Sequence, residues 1–126
     1  MSAQERPPGR CRWAFAMPGI PAHGRGPEPQ FTSRDTLCLL NAGHHIANIR
    51  LQVLYDRHPP VGPYRITVAP QRLRRIRIND LIFPEAVRLE TPYALHAYSD
   101  QPVLLQLTAQ YTGAAAQAWT GAAAFA

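Results

Sequence analysis

Between Ile49 and Tyr55 apolar residues take every second position. Ile49, Leu51, Val53 and Tyr55 fall on one side of an extended chain, and Arg50, Gln52 and Leu54 on the other. Successive side chains of a strand point to opposite faces, so a period of two predicts a half-buried strand. Tyr64–Val68 repeats the pattern, with Tyr64, Ile66 and Val68 opposite Arg65 and Thr67. Arg74–Ile78 sets Ile76 and Ile78 inward and Arg75 and Arg77 outward, while Val103–Thr108 sets Val103, Leu105 and Leu107 against Leu104, Gln106 and Thr108. Shorter strands are predicted over Cys11–Ala16, Thr36–Leu40 and Tyr93–Tyr98. Turns separate them: Asn41-Ala42-Gly43, whose residues tolerate positive φ, a rigid loop His58–Pro63, and Asn79-Asp80. With 13 prolines and 8 glycines the chain is cut into pieces too short for long helices, which favours an all-β sandwich or barrel. Pro18–Pro29 reads as a long loop. Residues 113–126 combine helix propensity in their alanines with the option of a final strand through Trp119, and the strand is preferred.

Length confines these elements to one domain: 126 residues leave no room for two cores. Residues 1–10 read as a flexible lead-in and 11–126 as the folded domain. No apolar run approaches the ~20 residues of a membrane-spanning helix, and Pro18 interrupts the stretch Trp13–Met17 before it reaches the length of a signal peptide. A cytoplasmic location is therefore expected. Cys11 and Cys38 lack the paired spacing of a zinc site and read as free, buried thiols. The net charge of +5 comes from 13 arginines and no lysine. It raises nucleic acid as a partner, with Arg72–Arg77 as a DNA-binding stripe. Aromatics interleaved for base stacking are missing there, so an ordinary solvated face is the stronger reading and nucleic acid is not expected.

Catalytic and metal chemistry find little support. His44-His45 are adjacent, so on a strand they point opposite ways and cannot share one ion; no metal or cofactor is expected. There is no Gly-x-Ser-x-Gly elbow and no phosphate-cradling glycine loop, so the chain is not expected to be an enzyme. Trp13, Glu28, Asn41, Arg65, Asn79, Asp80 and Gln106 form the more specific set. Each makes several hydrogen bonds or offers an aromatic surface, and each stands at a strand end or opposite the apolar stripe. Gathered in one concavity around Trp13, they would suit a polyhydroxylated or carboxylated small ligand. Asn41, Asn79 and Asp80 also fit plain turn positions.

At these residues the sequence resembles the sensory rhodopsin transducer family. The matching strings are Cys11-x-Trp13, Gly26-Pro27-Glu28-Pro29-Gln30-Phe31, Cys38-x-Leu40-Asn41-Ala42-Gly43, Pro60-Val61-Gly62-Pro63-Tyr64-Arg65-x-Thr67-Val68, Arg77-x-Asn79-Asp80-Leu81 and Pro102-Val103-x-x-Gln106-x-Thr108. The resemblance implies a jelly-roll-like antiparallel β-sandwich that forms a homotetramer. It also implies a non-catalytic sensor domain for a small molecule, carbohydrates among the options, with a cytosolic transducer docking on a microbial rhodopsin as the alternative. Two departures stand out. Ala109-Gln110-Tyr111-Thr112 replaces the Arg-Leu-Asp-Ser that typically follows in the family, and His44-His45 stands where the founding member is acidic. Both put a rhodopsin-facing role in question.

Overall fold

A computed structural model describes residues 7–22, 34–111 and 117–120, with backbone alone at Tyr111 and 117–120. Seven antiparallel strands follow in order: β1 (Arg10–Met17), β2 (Arg34–Asn41), β3 (Ala47–Tyr55), β4 (Val61–Val68), β5 (Arg72–Arg77), β6 (Tyr93–Tyr111) and β7 (Gln117–Thr120). The two segments predicted at Tyr93–Tyr98 and Val103–Thr108 are one strand of 19 residues. Its first half pairs with β1 and β3, and its second half with β2 and β7. Two layers result, β1-β6-β3-β4 and β7-β6-β2-β5, joined through β6 in one curled sheet. The all-β class expected from the sequence is observed, and the curled sheet agrees with the β-sandwich that the resemblance implied.

The period of two explains which side of each strand is covered. Ile49, Leu51 and Val53 of β3, Leu37 and Leu39 of β2, and Leu95, Val103 and Leu107 of β6 are all within 1% of complete burial and face one another between the layers. Each such side chain contributes about 1.5–3 kcal/mol by leaving water. β5 departs from expectation. It ends at Arg77, and Ile78 is buried within a single 3₁₀ turn (Ile78–Asp80) instead of a strand. The expected loop to Pro63 is shorter, because β4 already begins at Val61. Within the tail, the described residues 117–120 form β7, with Trp119 in register with Ala109; the remainder of 113–126 lies outside the described residues.

Polar side chains brace the passage of β6 between layers. Trp13 Nε1 donates to the Val103 carbonyl at 2.9 Å and to that of Arg10 at 3.1 Å. Gly9, at φ +120°, lies so close that a Cβ there would stand 2.3 Å from the Val103 oxygen. Within the expected lead-in, Gly9 is thus packed against β6 and β1 already begins at Arg10. The two ends of β2 carry its buried polar residues, Asp35 and Asn41. Tyr93 Oη donates to the Asp35 carboxylate, linking the start of β6 to that of β2. Asn41 Nδ2 donates to the carbonyls of His45 (2.8 Å), Val68 (3.1 Å) and Ala69 (3.3 Å), while its Oδ1 accepts the Gly43 N–H (3.0 Å). The turn after β2 therefore closes through a side chain; positive φ occurs at Gln71 and Glu90 among non-glycine residues. Losing such a buried bond leaves its partner unpaired, at a cost of about 1–3 kcal/mol.

The cysteines correct an expectation. Both are free, but Cys11 is exposed and Cys38 half-buried. Cys38 points outward between the inward Leu37 and Leu39, and Cys11 sits at the irregularity in β1 pairing between Arg10 and Arg12. Alternation at the one site and a register shift at the other keep both thiols out of the core.

Tyr64, almost fully buried, donates its hydroxyl to the Glu85 carbonyl. Burial foremost, then the nearby charges of Tyr55 and Glu85, pushes its pKa up from 10.0 to about 12. A raised folded-state value means that the stabilisation is complete below the unfolded value and is lost as pH rises from 10.0 towards about 12. Urea denaturation across that window should show stability falling, and Tyr64→Phe should remove this component of the fall.

Candidate ligand-binding face

The outward residues of β1, β6, β3 and β4 align in one row. Arg12 is paired with Tyr98, Tyr98 with Arg50, and Arg50 with Arg65, each on the neighbouring strand. The Arg12 guanidinium carbon lies 5.0 Å from the centre of the Tyr98 ring and that of Arg50 lies 5.8 Å away. Both distances are within cation–π range, and each contact is worth about 0.5–1 kcal/mol at an exposed position. His96 packs beside the same ring, centroid to centroid 4.4 Å. Among the described residues no carboxylate lies within 4.0 Å of Arg12, Arg50 or Arg65.

A concavity of about 420 Å³ opens at this row, lined by Asn48, Arg50, Arg65, Tyr98, Ser99 and Asp100. A second of about 220 Å³ shares Arg50 and Tyr98 and extends over Leu51, Gln52 and Pro63. Asp100 is held at one edge: Asn48 donates its backbone N–H to Oδ1 at 2.8 Å and its side-chain amide to Oδ2 at 2.9 Å. The side-chain bond, and then the backbone bond, lowers the Asp100 pKa, so the carboxylate is ionised at neutral pH. The face thus offers three guanidiniums, two of them over the Tyr98 ring, and one oriented carboxylate.

Of the residues singled out from the sequence, only Arg65 lines this face. Trp13 is a core residue, stacked on Phe15 at 6.2 Å with its N–H spent on backbone carbonyls. Asn41 is fully buried and spends its amide on the turn. Asn79 Oδ1 accepts the Asp35 N–H at 3.3 Å, and Asp80 stands 3.9 Å from Arg77 across the 3₁₀ turn. Gln106 is exposed on the other layer, in register with Cys38. Glu28 lies outside the described residues. The structure does not bring the described members together around Trp13, because the indole that was to form the platform points into the core. Arg50, Tyr98 and Asp100 were missed. Arg50 was legible as an outward residue of β3, but its register with Tyr98 and Arg65 depends on how the strands pair.

The basic stripe is partly engaged. Arg74 donates to the Thr67 carbonyl at 2.8 Å and Arg72 to that of Gln71 at 3.0 Å, and the Cys38 sulfur beside Arg75 favours its charged form. Both histidines of the pair His44-His45 are exposed. Among the described residues no group of three or more His, Cys, Asp or Glu is placed to hold a metal ion, and no helix is long and apolar enough to cross a membrane.

The family model described as Anabaena sensory rhodopsin transducer matches residues 8–126. Among solved structures, the Anabaena sensory rhodopsin transducer is similar at 42% identity and a TM-score of 0.73, over 80% of this chain and 88% of that one. Thermotoga maritima 1070 is similar at 27% identity and a TM-score of 0.72, over 90% of this chain and 94% of the other. No curated protein matches the chain significantly.

Like charges directly opposite one another across two strands are destabilising. Arg50 and Arg65 stand directly opposite by register and line one concavity. Arg65→Thr should therefore raise the stability of the unliganded protein, by about 0.2–1 kcal/mol in chemical denaturation.

Proposed function

We propose that this chain, which belongs to the Anabaena sensory rhodopsin transducer family, is a non-catalytic sensor domain that binds a small molecule on the outer face of the β1-β6-β3-β4 layer. One observation carries this reading: Arg50 and Arg65 oppose each other across two strands with no protein carboxylate within 4.0 Å among the described residues, in a concavity whose other edge is an oriented Asp100. A protein surface that serves only solubility has no need of this arrangement, whereas a binding site recovers its cost when occupied. A ligand that binds the native state raises apparent stability according to its concentration and affinity. In a thermal-shift screen of sugars, sugar acids and nucleotides, at least one compound should raise the Tm of the native chain but not that of an Arg50→Gln, Arg65→Gln variant. A screen without any stabilising compound overturns the sensing function; stabilisation that survives both substitutions overturns this location for it.

The second reading is a transducer that docks on the cytoplasmic face of a microbial rhodopsin. It is favoured by the 42% identity to the Anabaena sensory rhodopsin transducer, and it requires a rhodopsin gene in the source genome. The two readings are compatible, since one face can bind a ligand while another holds a partner.

A homotetramer belongs to the same proposal. Leu73, Leu40 and Leu104 stand in one lateral row on the outer side of β5, β2 and β6, with Leu73 62% and Leu104 37% exposed. Such a row on a sheet face marks a surface suited to contact with further copies. Sedimentation should give a species of four 14.0 kDa chains, and a monomer at micromolar concentration would refute the assembly.

A further inference from the structure

We propose that the ligand is an anion that also carries hydroxyl groups, a phosphorylated or carboxylated polyol, with its charged group between Arg50 and Arg65 and a hydroxyl on Asp100. This rests on the sensing function above and narrows it to one chemical class. The anionic part follows from the arginine pair, which face each other on adjacent strands with no carboxylate within 4.0 Å among the described residues. A phosphate or carboxylate placed between them turns a repulsive pair into two charge-assisted contacts, and the planar guanidinium matches both anions bidentately.

Tyr98 argues against a neutral sugar as the ligand. An aromatic ring that recognises a sugar offers it a free face, but two guanidiniums already lie over this one, at 5.0 and 5.8 Å. The ring instead fixes Arg12 and Arg50 in place, so that the donors are ordered before the ligand arrives and less freedom is lost on binding.

The hydroxyl part follows from Asp100. Each of its two oxygens takes one bond from Asn48 and keeps a lone pair. An ionised carboxylate accepts from a ligand O–H and repels a second anionic group. The cavity thus has a cationic side and an acceptor side, and its volume of about 420 Å³ lies within the range of small-molecule sites, roughly 300–1,000 Å³.

Calorimetric titration of the full chain with ribose 5-phosphate, gluconate, ribose and inorganic phosphate tests this class. Ribose 5-phosphate or gluconate should bind at least about tenfold more tightly than ribose and inorganic phosphate. Arg65→Gln should weaken that binding by about tenfold or more, and Asp100→Asn should abolish the preference for the polyol anion over inorganic phosphate, since it removes the hydroxyl acceptor and with it the charge that repels phosphate. Circular dichroism of each variant checks that the sandwich is intact. Ribose binding as tightly as ribose 5-phosphate, indifferent to Arg65→Gln, would overturn the anion requirement and leave the sensing function standing. Inorganic phosphate matching both polyol anions would overturn the hydroxyl requirement, and the site would then hold an adventitious ion only. Absence of binding by all four overturns this class, whereas the sensing function falls only if the wider thermal-shift screen also finds nothing.

Discussion

A single strand belongs to both layers, and the rest of the structure hangs from it. β6 runs for 19 residues, about 60 Å when extended, and supplies hydrogen-bond partners to β1 and β3 along one half and to β2 and β7 along the other. Two separate sheets would hold together by side-chain packing alone; here the backbone itself joins them. The joint must therefore be kept in shape. The Trp13 indole, the close approach of Gly9 and the Ser99 hydroxyl, which accepts the Gln101 N–H at 3.2 Å, all act where β6 leaves one layer for the other. At the ends of β2, the Asp35–Tyr93 and Asn41–Val68 bonds tie the second layer back to the first.

Among the described residues, this construction keeps the outward side chains of the strands out of the core. The core is closed by inward residues, so the outward ones answer only to solubility and binding. On the β1-β6-β3-β4 face they place three arginines beside one tyrosine and one anchored aspartate. On the opposite face they place a leucine row beside the half-buried Cys38 and the exposed Arg75. The first is polar and cationic, and the second is largely apolar along its leucine row.

Trp13 and Asn41 show why hydrogen-bonding capacity in a sequence is a poor guide to a site. Both residues have the donors and acceptors a polar ligand needs, and both lie in strings that the family shares. The fold spends that capacity on backbone carbonyls, since a buried carbonyl without a partner costs as much as a ligand contact yields. Arg65 is the opposite case. It lies on the outward side of an alternating strand, and nothing in the interior can use a guanidinium there. Alternation alone separates these two outcomes: Trp13 shares a face with Phe15 and Met17, whereas Arg65 lies between the inward Tyr64 and Ile66.

From the sequence by itself came the fold class, most strand positions and the inward and outward assignment of side chains along them. All three follow from a local rule, the period of two, which needs no knowledge of neighbours. Register between strands was not determined in that way, because pairing joins residues as distant as Arg12, Tyr98, Arg50 and Arg65. Neither was the continuity of β6, since the residues between its two alternating halves look like a turn. Only the tertiary structure set these, and with them the arginine row: a cross-strand cluster exists only once four strands have been laid side by side, and their order is fixed by how the two layers close around the core.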